Sequence, residues 1–139
     1  MKVQKQLRGN GERILVIDDE HDVREMIAEI LVQGGYRVES AADGEQGMGL
    51  LLKEEWDLII TDVAMPKRDG LALIAGVRGI QRSIPVIAIS GNIEKEQLLP
   101  VARAFGADAA LQKPFTIRAL LETVAVALRR QQCGNHETD

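Results

Sequence analysis

Several short runs of this chain are apolar without any alternation: "ILVI" before Asp18, "LII" before Thr61 and Asp62, and "IPVIAI" before Ser90. A strand with one face in water alternates apolar with polar residues. An uninterrupted β-branched run must be covered on both faces, as in a parallel sheet sandwiched between helices. Each run also stops abruptly at a polar group. A weaker run, "ADAALQ", stops the same way just before Lys113. The chain must therefore bury its strands and leave chemistry at their ends.

The segments between these runs carry helical spacing. After the first, Asp22 with Glu25 three residues on predicts a helix start of the capping-box kind. Val23, Met26, Ile27, Ile30 and Leu31 form its apolar face, and Gly34–Gly35 end it. Tyr36–Ala41 alternates and is expected as a second strand. "DGEQGMGLLLKEE" is a weaker helix, since Gly47 and Gly49 each cost about 1 kcal/mol against Ala. Asp69–Gly79 places Leu71, Ile74 and Val77 on one helical face, and Pro85 is tolerable at the start of the fourth strand. Within Glu94–Phe105, Pro100 costs a helix interior roughly 3 kcal/mol. A loop to about Glu96 is expected there, with Pro100 in a first turn or at a kink. Thr116 is placed to cap a last helix, "TIRALLETVAVALRRQ".

Five strands alternating with five helices predict an α/β fold, a doubly wound parallel sheet with right-handed crossovers. Ligands of such sheets sit beyond the carboxyl ends of the strands, where strand order reverses. Asp18–Asp19, Asp62, Ser90 and Lys113 would then meet at one sheet edge despite their distance in sequence.

Composition narrows the function. The 139 residues suit one domain with a proper core, and the net charge of -4 gives no electrostatic footprint for nucleic acid. The single Cys133 excludes an intrachain disulfide and a Cys-rich metal site. No apolar run is long enough to span a bilayer, and "MKVQKQLRGNGE" lacks the apolar segment of a secretory signal. A cytoplasmic protein without membrane contact is expected.

Three carboxylates in one crevice repel one another, and a hard divalent cation removes that cost. Asp19 and Asp62 are the first choices to bind Mg²⁺, with Asp18 acting directly or through water. A carboxylate beside a metal can attack a phosphoryl group, which makes Asp62 the candidate nucleophile. Lys113 and the Ser90 hydroxyl can offset charge on the phosphoryl oxygens. The plainer alternatives are a solvated acidic loop, a helix-capping Asp and a Ser–Gly turn. Lys113 resists such a reading, because "KPF" after an apolar strand is not a typical solvated lysine. Its bond to Pro114 is a candidate cis peptide.

Together, "ILVIDDE", "DLIITDVAMPKRDG", "IPVIAISG" and "ADAALQKPF" resemble the receiver domain of bacterial two-component response regulators, from about Ile14 to Leu128. The resemblance implies a flavodoxin-like five-stranded sheet of order 2-1-3-4-5. It divides the chain into a tail (1–12), a receiver domain (13–130) and a second tail (131–139). It implies that Asp62 accepts a phosphoryl group from a phosphohistidine on a sensor histidine kinase or histidine phosphotransfer protein. Asp18, Asp19, Asp62 and the Ala64 backbone carbonyl would hold Mg²⁺. Ser90 would be the switch hydroxyl and Lys113 the partner of the phosphoryl group. The surface around the fourth and fifth helices would then change to control an output partner. Such a protein is a signalling phosphoacceptor rather than an enzyme, with at most slow self-phosphorylation and self-dephosphorylation, and is a monomer or weak homodimer. One departure stands out: Ala110 occupies the slot, three residues before the lysine, where receivers commonly carry an aromatic ring. The face is therefore expected to rearrange as a loop or helix shift. Two other readings stay open. A haloacid-dehalogenase-type phosphatase also uses an Asp nucleophile with Mg²⁺, but in a D-x-D pattern after its first strand. A degenerate receiver would only bind partners.

Overall fold

A computed structural model describes residues 3–63, 70–81, 83–91 and 93–137. Its strands are β1 (Arg13–Ile17), β2 (Arg37–Ala41), β3 (Leu58–Asp62), β4 (Val86–Ser90) and β5 (Ala109–Gln112). Its helices are α1 (His21–Gln33), α2 (Gly44–Lys53), α3 (Gly70–Ile80), α4 (Lys95–Ala104) and α5 (Ile117–Glu137). All strands pair in parallel, in the order β2-β1-β3-β4-β5. The expected doubly wound fold is the observed one.

Strand periodicity divides the core into two layers. Ile14 and Val16 of β1 point to the side covered by α1 and α5, where they join Ile27, Leu31, Leu120 and Val124. Leu15 and Ile17 point to the other side and join Leu51, Ile74, Val77 and Leu98 from α2, α3 and α4. The runs without alternation are the central strands β3 and β4, buried at every position. β2, at the edge, alternates as its sequence does.

Helix ends account for most of the local departures. Asp22 does not cap α1: the helix starts at His21, the capping position is Glu20, and no side chain bonds the first turn there. Asp22 lies inside the first turn, where its charge favours the helix dipole. At the other end the expectation holds. Tyr36 N–H donates to the Leu31 carbonyl and Gly35 N–H to Val32, with Gly35 at φ +99°. This is a Schellman closure that needs glycine at the left-handed position. Asp43 caps α2 by accepting from Gln46 N–H, and Thr116 Oγ1 accepts from Ala119 N–H at 3.0 Å. α4 begins at Lys95, and Pro100 sits in its interior rather than in its first turn. Pro100 cannot donate to the Glu96 carbonyl one turn back, and the helix continues around that lost bond.

Both expected tails carry structure. The amino-terminal segment forms a 3-10 turn (Lys5–Leu7) that buries Leu7 against the α1–α5 layer. Gly9 and Gly11 N–H groups donate to the carbonyls of Gly34 and Gly35. A Cβ on Gly9 would lie 2.4 Å from the Tyr36 ring, so the strap passes only as glycine. At the other end α5 runs on to Glu137.

The α2 glycines separate into two kinds. A Cβ on Gly47 would come within 2.5 Å of Ile17 Cδ1 and 2.9 Å of its Cγ1, whereas Gly49 has nothing within 4 Å. Gly47 lets α2 approach β1; Gly49 only costs helix propensity. Gly49→Ala should therefore stabilise the protein by up to about 1 kcal/mol in urea unfolding. Gly47→Ala should destabilise it, because overpacking of this kind typically costs about 1–3 kcal/mol.

Candidate functional site

The carboxyl ends of the central strands meet at one edge. β1 delivers Asp18 just past Ile17, and Asp18 N–H is tied to the Ala41 carbonyl of β2. β3 ends in Asp62 and β4 in Ser90. Lys113 follows β5, and its N–H donates to the Ser90 carbonyl at 2.9 Å. Asp18, Asp62 and Ser90 are the buried polar residues of this edge. The Lys113–Pro114 peptide is cis.

Lys113 organises the charges. Its Nζ lies 2.9 Å from Asp62 Oδ2, 3.0 Å from Asp18 Oδ2 and 3.1 Å from Glu20 Oε1. One ammonium faces three carboxylates, so the cluster stays negative. Burial raises the Asp18 carboxyl above its ordinary value of 3.8, and the Asp62 charge adds to the rise. The Glu20 N–H, which donates to Asp18 Oδ1 at 2.9 Å, and the Lys113 ammonium act the other way without cancelling it. For Lys113, burial alone would depress the pKa. Its contacts with Asp62, Asp18 and Glu20 outweigh that and hold it above the ordinary lysine range.

The edge fits a hard cation. Oxygens of Asp18, Glu20 and Asp62 all lie within 4.8 Å of one another. Asp18 Oδ2 is fully buried yet accepts no hydrogen bond, since the ammonium beside it lacks the alignment for one. An all-oxygen set with a carboxylate oxygen left over suits Mg²⁺, which commonly uses one or two carboxylates and fills its octahedron with water.

The expected residues are thus largely brought together, with two differences. Asp19 is exposed and is not among the converging carboxylates; Glu20, whose only expected part was to lead into the first helix, takes that place. The reason is strand geometry. Alternate residues of an extended segment point the same way, and Glu20 keeps extended angles (φ -85°, ψ 109°). Residues 18 and 20 therefore share a side that Asp19 does not. The i, i+2 spacing was the available signal. Arg24 was also missed: from α1 its Nη1 donates to the Asp18 carbonyl at 2.8 Å. The Ala64 carbonyl, together with Met65, Pro66 and Asp69, lies outside the described residues.

The family described as the response regulator receiver domain matches residues 14–125. The chain belongs to that family. It is 36% identical over 118 residues to the transcriptional regulatory protein RprY of Bacteroides fragilis, covering 85% of this chain and 50% of that protein. It is 34% identical over 128 residues to the transcriptional regulatory protein GltR of Pseudomonas aeruginosa, covering 91% of this chain and 52% of that one. The chain thus spans about half the length of the curated relatives it matches. Among solved structures, the chemotaxis protein CheY4 of Vibrio cholerae superposes with a TM-score of 0.78 at 31% identity, over 84% of this chain and 98% of that one. The acidic cluster at the sheet edge fits the phosphoacceptor site of a receiver. Among the described residues, no helix is long and apolar enough to cross a membrane.

The raised Asp18 pKa fixes the sign of a pH effect. A carboxyl whose folded pKa lies above its unfolded value binds its proton more tightly in the folded state, so stability falls as pH rises past 3.8 and through the raised folded value. In chelator, urea unfolding from pH 4 upward should show this decline. Asp18→Asn keeps an Oδ1 acceptor for Glu20 N–H, should flatten the decline, and should leave the metal-free protein more stable at pH 7.

Proposed function

We propose that the chain is a phosphoaccepting receiver in which Asp62 takes a phosphoryl group from a phosphohistidine of a sensor histidine kinase or histidine phosphotransfer protein. The observation that carries this reading is the placement of Asp62. It is a buried carboxylate at a strand end, facing a lysine from another strand at 2.9 Å, beside an edge built for a cation.

In this reading an Asp62 carboxylate oxygen attacks phosphorus. The phosphorus–nitrogen bond to the donor imidazole breaks, and its electron pair returns to the ring. The product is an acyl phosphate, so the Asp62 charge is replaced by the larger charge of the phosphoryl group. Lys113 turns its N–H groups from the carboxylates to the phosphoryl oxygens, and Ser90, fixed on β4 beside it, donates its hydroxyl. Mg²⁺ would be held by Asp18, Asp19, Asp62 and the Ala64 carbonyl, and when bound would supply electrostatic stabilisation of the transferring group. Asp19, exposed here, would have to turn inward to join that set. The chain's role is signalling rather than turnover, with at most slow self-phosphorylation and self-dephosphorylation.

The output reading rests on the face formed by α4, β5 and α5. A cleft of about 820 Å³ lies there, with Ala109 and Ala110 in its wall beside Leu99 of α4 and Val126 of α5. Ala110 pairs with Ala88 in the sheet and has no ring to swing. Phosphorylation therefore reaches this face through movement of backbone and helix, and the altered face meets an output partner.

Incubation with a small acyl phosphate and Mg²⁺, followed by intact mass measurement, tests the proposal. A stoichiometric adduct is expected that requires Mg²⁺ and disappears in Asp62→Asn. An adduct that persists in that variant would overturn the assignment, and rapid turnover of phosphomonoesters would favour a phosphatase. Asp19→Ala should abolish Mg²⁺ binding in calorimetry while leaving the circular dichroism melt cooperative. Unchanged Mg²⁺ affinity would remove Asp19 from the site.

A further inference from the structure

We infer that Glu20 is a positioning residue that competes with the phosphoryl group for Lys113 and so restrains phosphorylation of Asp62. The inference rests on the phosphoacceptor reading of Asp62.

An ammonium has three N–H bonds, and the Lys113 ammonium meets three carboxylates at 2.9–3.1 Å. Two of those N–H bonds are donated, to Asp62 and Glu20, while Asp18 holds the ammonium by charge alone. Lys113 can turn fully to the phosphoryl oxygens by loosening its hold on the carboxylates, and the three differ in how easily they let go. Asp18 and Asp62 sit at strand ends and are almost wholly buried, so neither can exchange the ammonium for water. The Glu20 side chain is 60% exposed against 14% for Lys113, so water solvates it as soon as the contact opens. Glu20 is the partner that leaves.

Its backbone, by contrast, is fixed. Glu20 N–H donates to Asp18 Oδ1, and extended angles send its side chain to the Asp18 side of the segment. The contact spans 93 residues of sequence and joins the start of α1 to the end of β5. Glu20 therefore lies over the ammonium from the solvent side. A phosphoryl group that draws the ammonium toward itself does so against the pull of Glu20, and the weakened contact lowers the net gain from the Lys113–phosphoryl bond.

Beryllium trifluoride, a phosphoryl mimic that needs no chemical step, tests this on the full chain. Its affinity is measured by calorimetry for wild type and Glu20→Gln, each at Mg²⁺ concentrations shown to saturate that protein. The glutamine keeps the size of the side chain and removes the charge. Glu20→Gln should bind the mimic about twofold to fivefold more tightly, the range of a half-exposed ion pair. Its acyl phosphate should form faster by a similar factor. General structural damage would weaken binding, so tightening is diagnostic. Unchanged affinity overturns the inference, and weaker affinity does so by assigning Glu20 to the cation instead. If wild type forms no Mg²⁺-dependent adduct at Asp62, the phosphoacceptor reading itself fails. If the adduct forms normally and Glu20→Gln binds the mimic as wild type does, only the role of Glu20 is lost.

Discussion

The sharing of one buried ammonium among three carboxylates is the interaction on which the rest of this edge depends. Without Lys113, Asp18 and Asp62 would face each other across adjacent strands with no counter-charge, and one of them would take up a proton. With Lys113 present the pair stays poised, though not neutral. Burial still raises the Asp18 carboxyl despite the lysine. The cluster is stable enough to exist and negative enough to draw a divalent cation.

The fold supplies this balance by topology. Parallel strands β1, β3, β4 and β5 all end on the same edge, so residues from four separate parts of the sequence converge without a long loop. The price is a set of strands buried on both faces, which forces the β-branched runs and the two-layer core. The Lys113 backbone is itself held by the Ser90 carbonyl, so ammonium and hydroxyl are positioned by one strand pairing.

Much of this was legible in the sequence. Runs without alternation gave the central strands, and their polar ends gave Asp18, Asp62, Ser90 and Lys113. What was not legible depended on where side chains point after a strand ends. Asp19 and Glu20 are chemically alike and adjacent, and the backbone path after Asp18 decides which of them reaches Lys113. The Asp22 expectation failed similarly, because the segment after Asp18 enters the helix two residues sooner than the capping pattern suggests. Pro100 was weighed by its local cost, while the helix it interrupts is held by Leu98 and Ala102, both buried in the second layer. The roles of Gly9 and Gly47 were invisible for a related reason: each makes room for a side chain distant in sequence.

The strap at the amino end has a bearing on where the folding unit stops. The family match begins at residue 14, after Leu7, Gly9 and Gly11. Yet Leu7 is part of the α1–α5 layer, and Gly9 seals the buried Tyr36, whose hydroxyl is pushed up to about 12 by burial and the nearby Glu12 charge, against the opposing pull of Arg129. A fragment trimmed to the homologous segment would keep every residue of the acidic edge and still open its core at the opposite end. In this chain the packed core reaches further toward the amino end than the residues the family model matches.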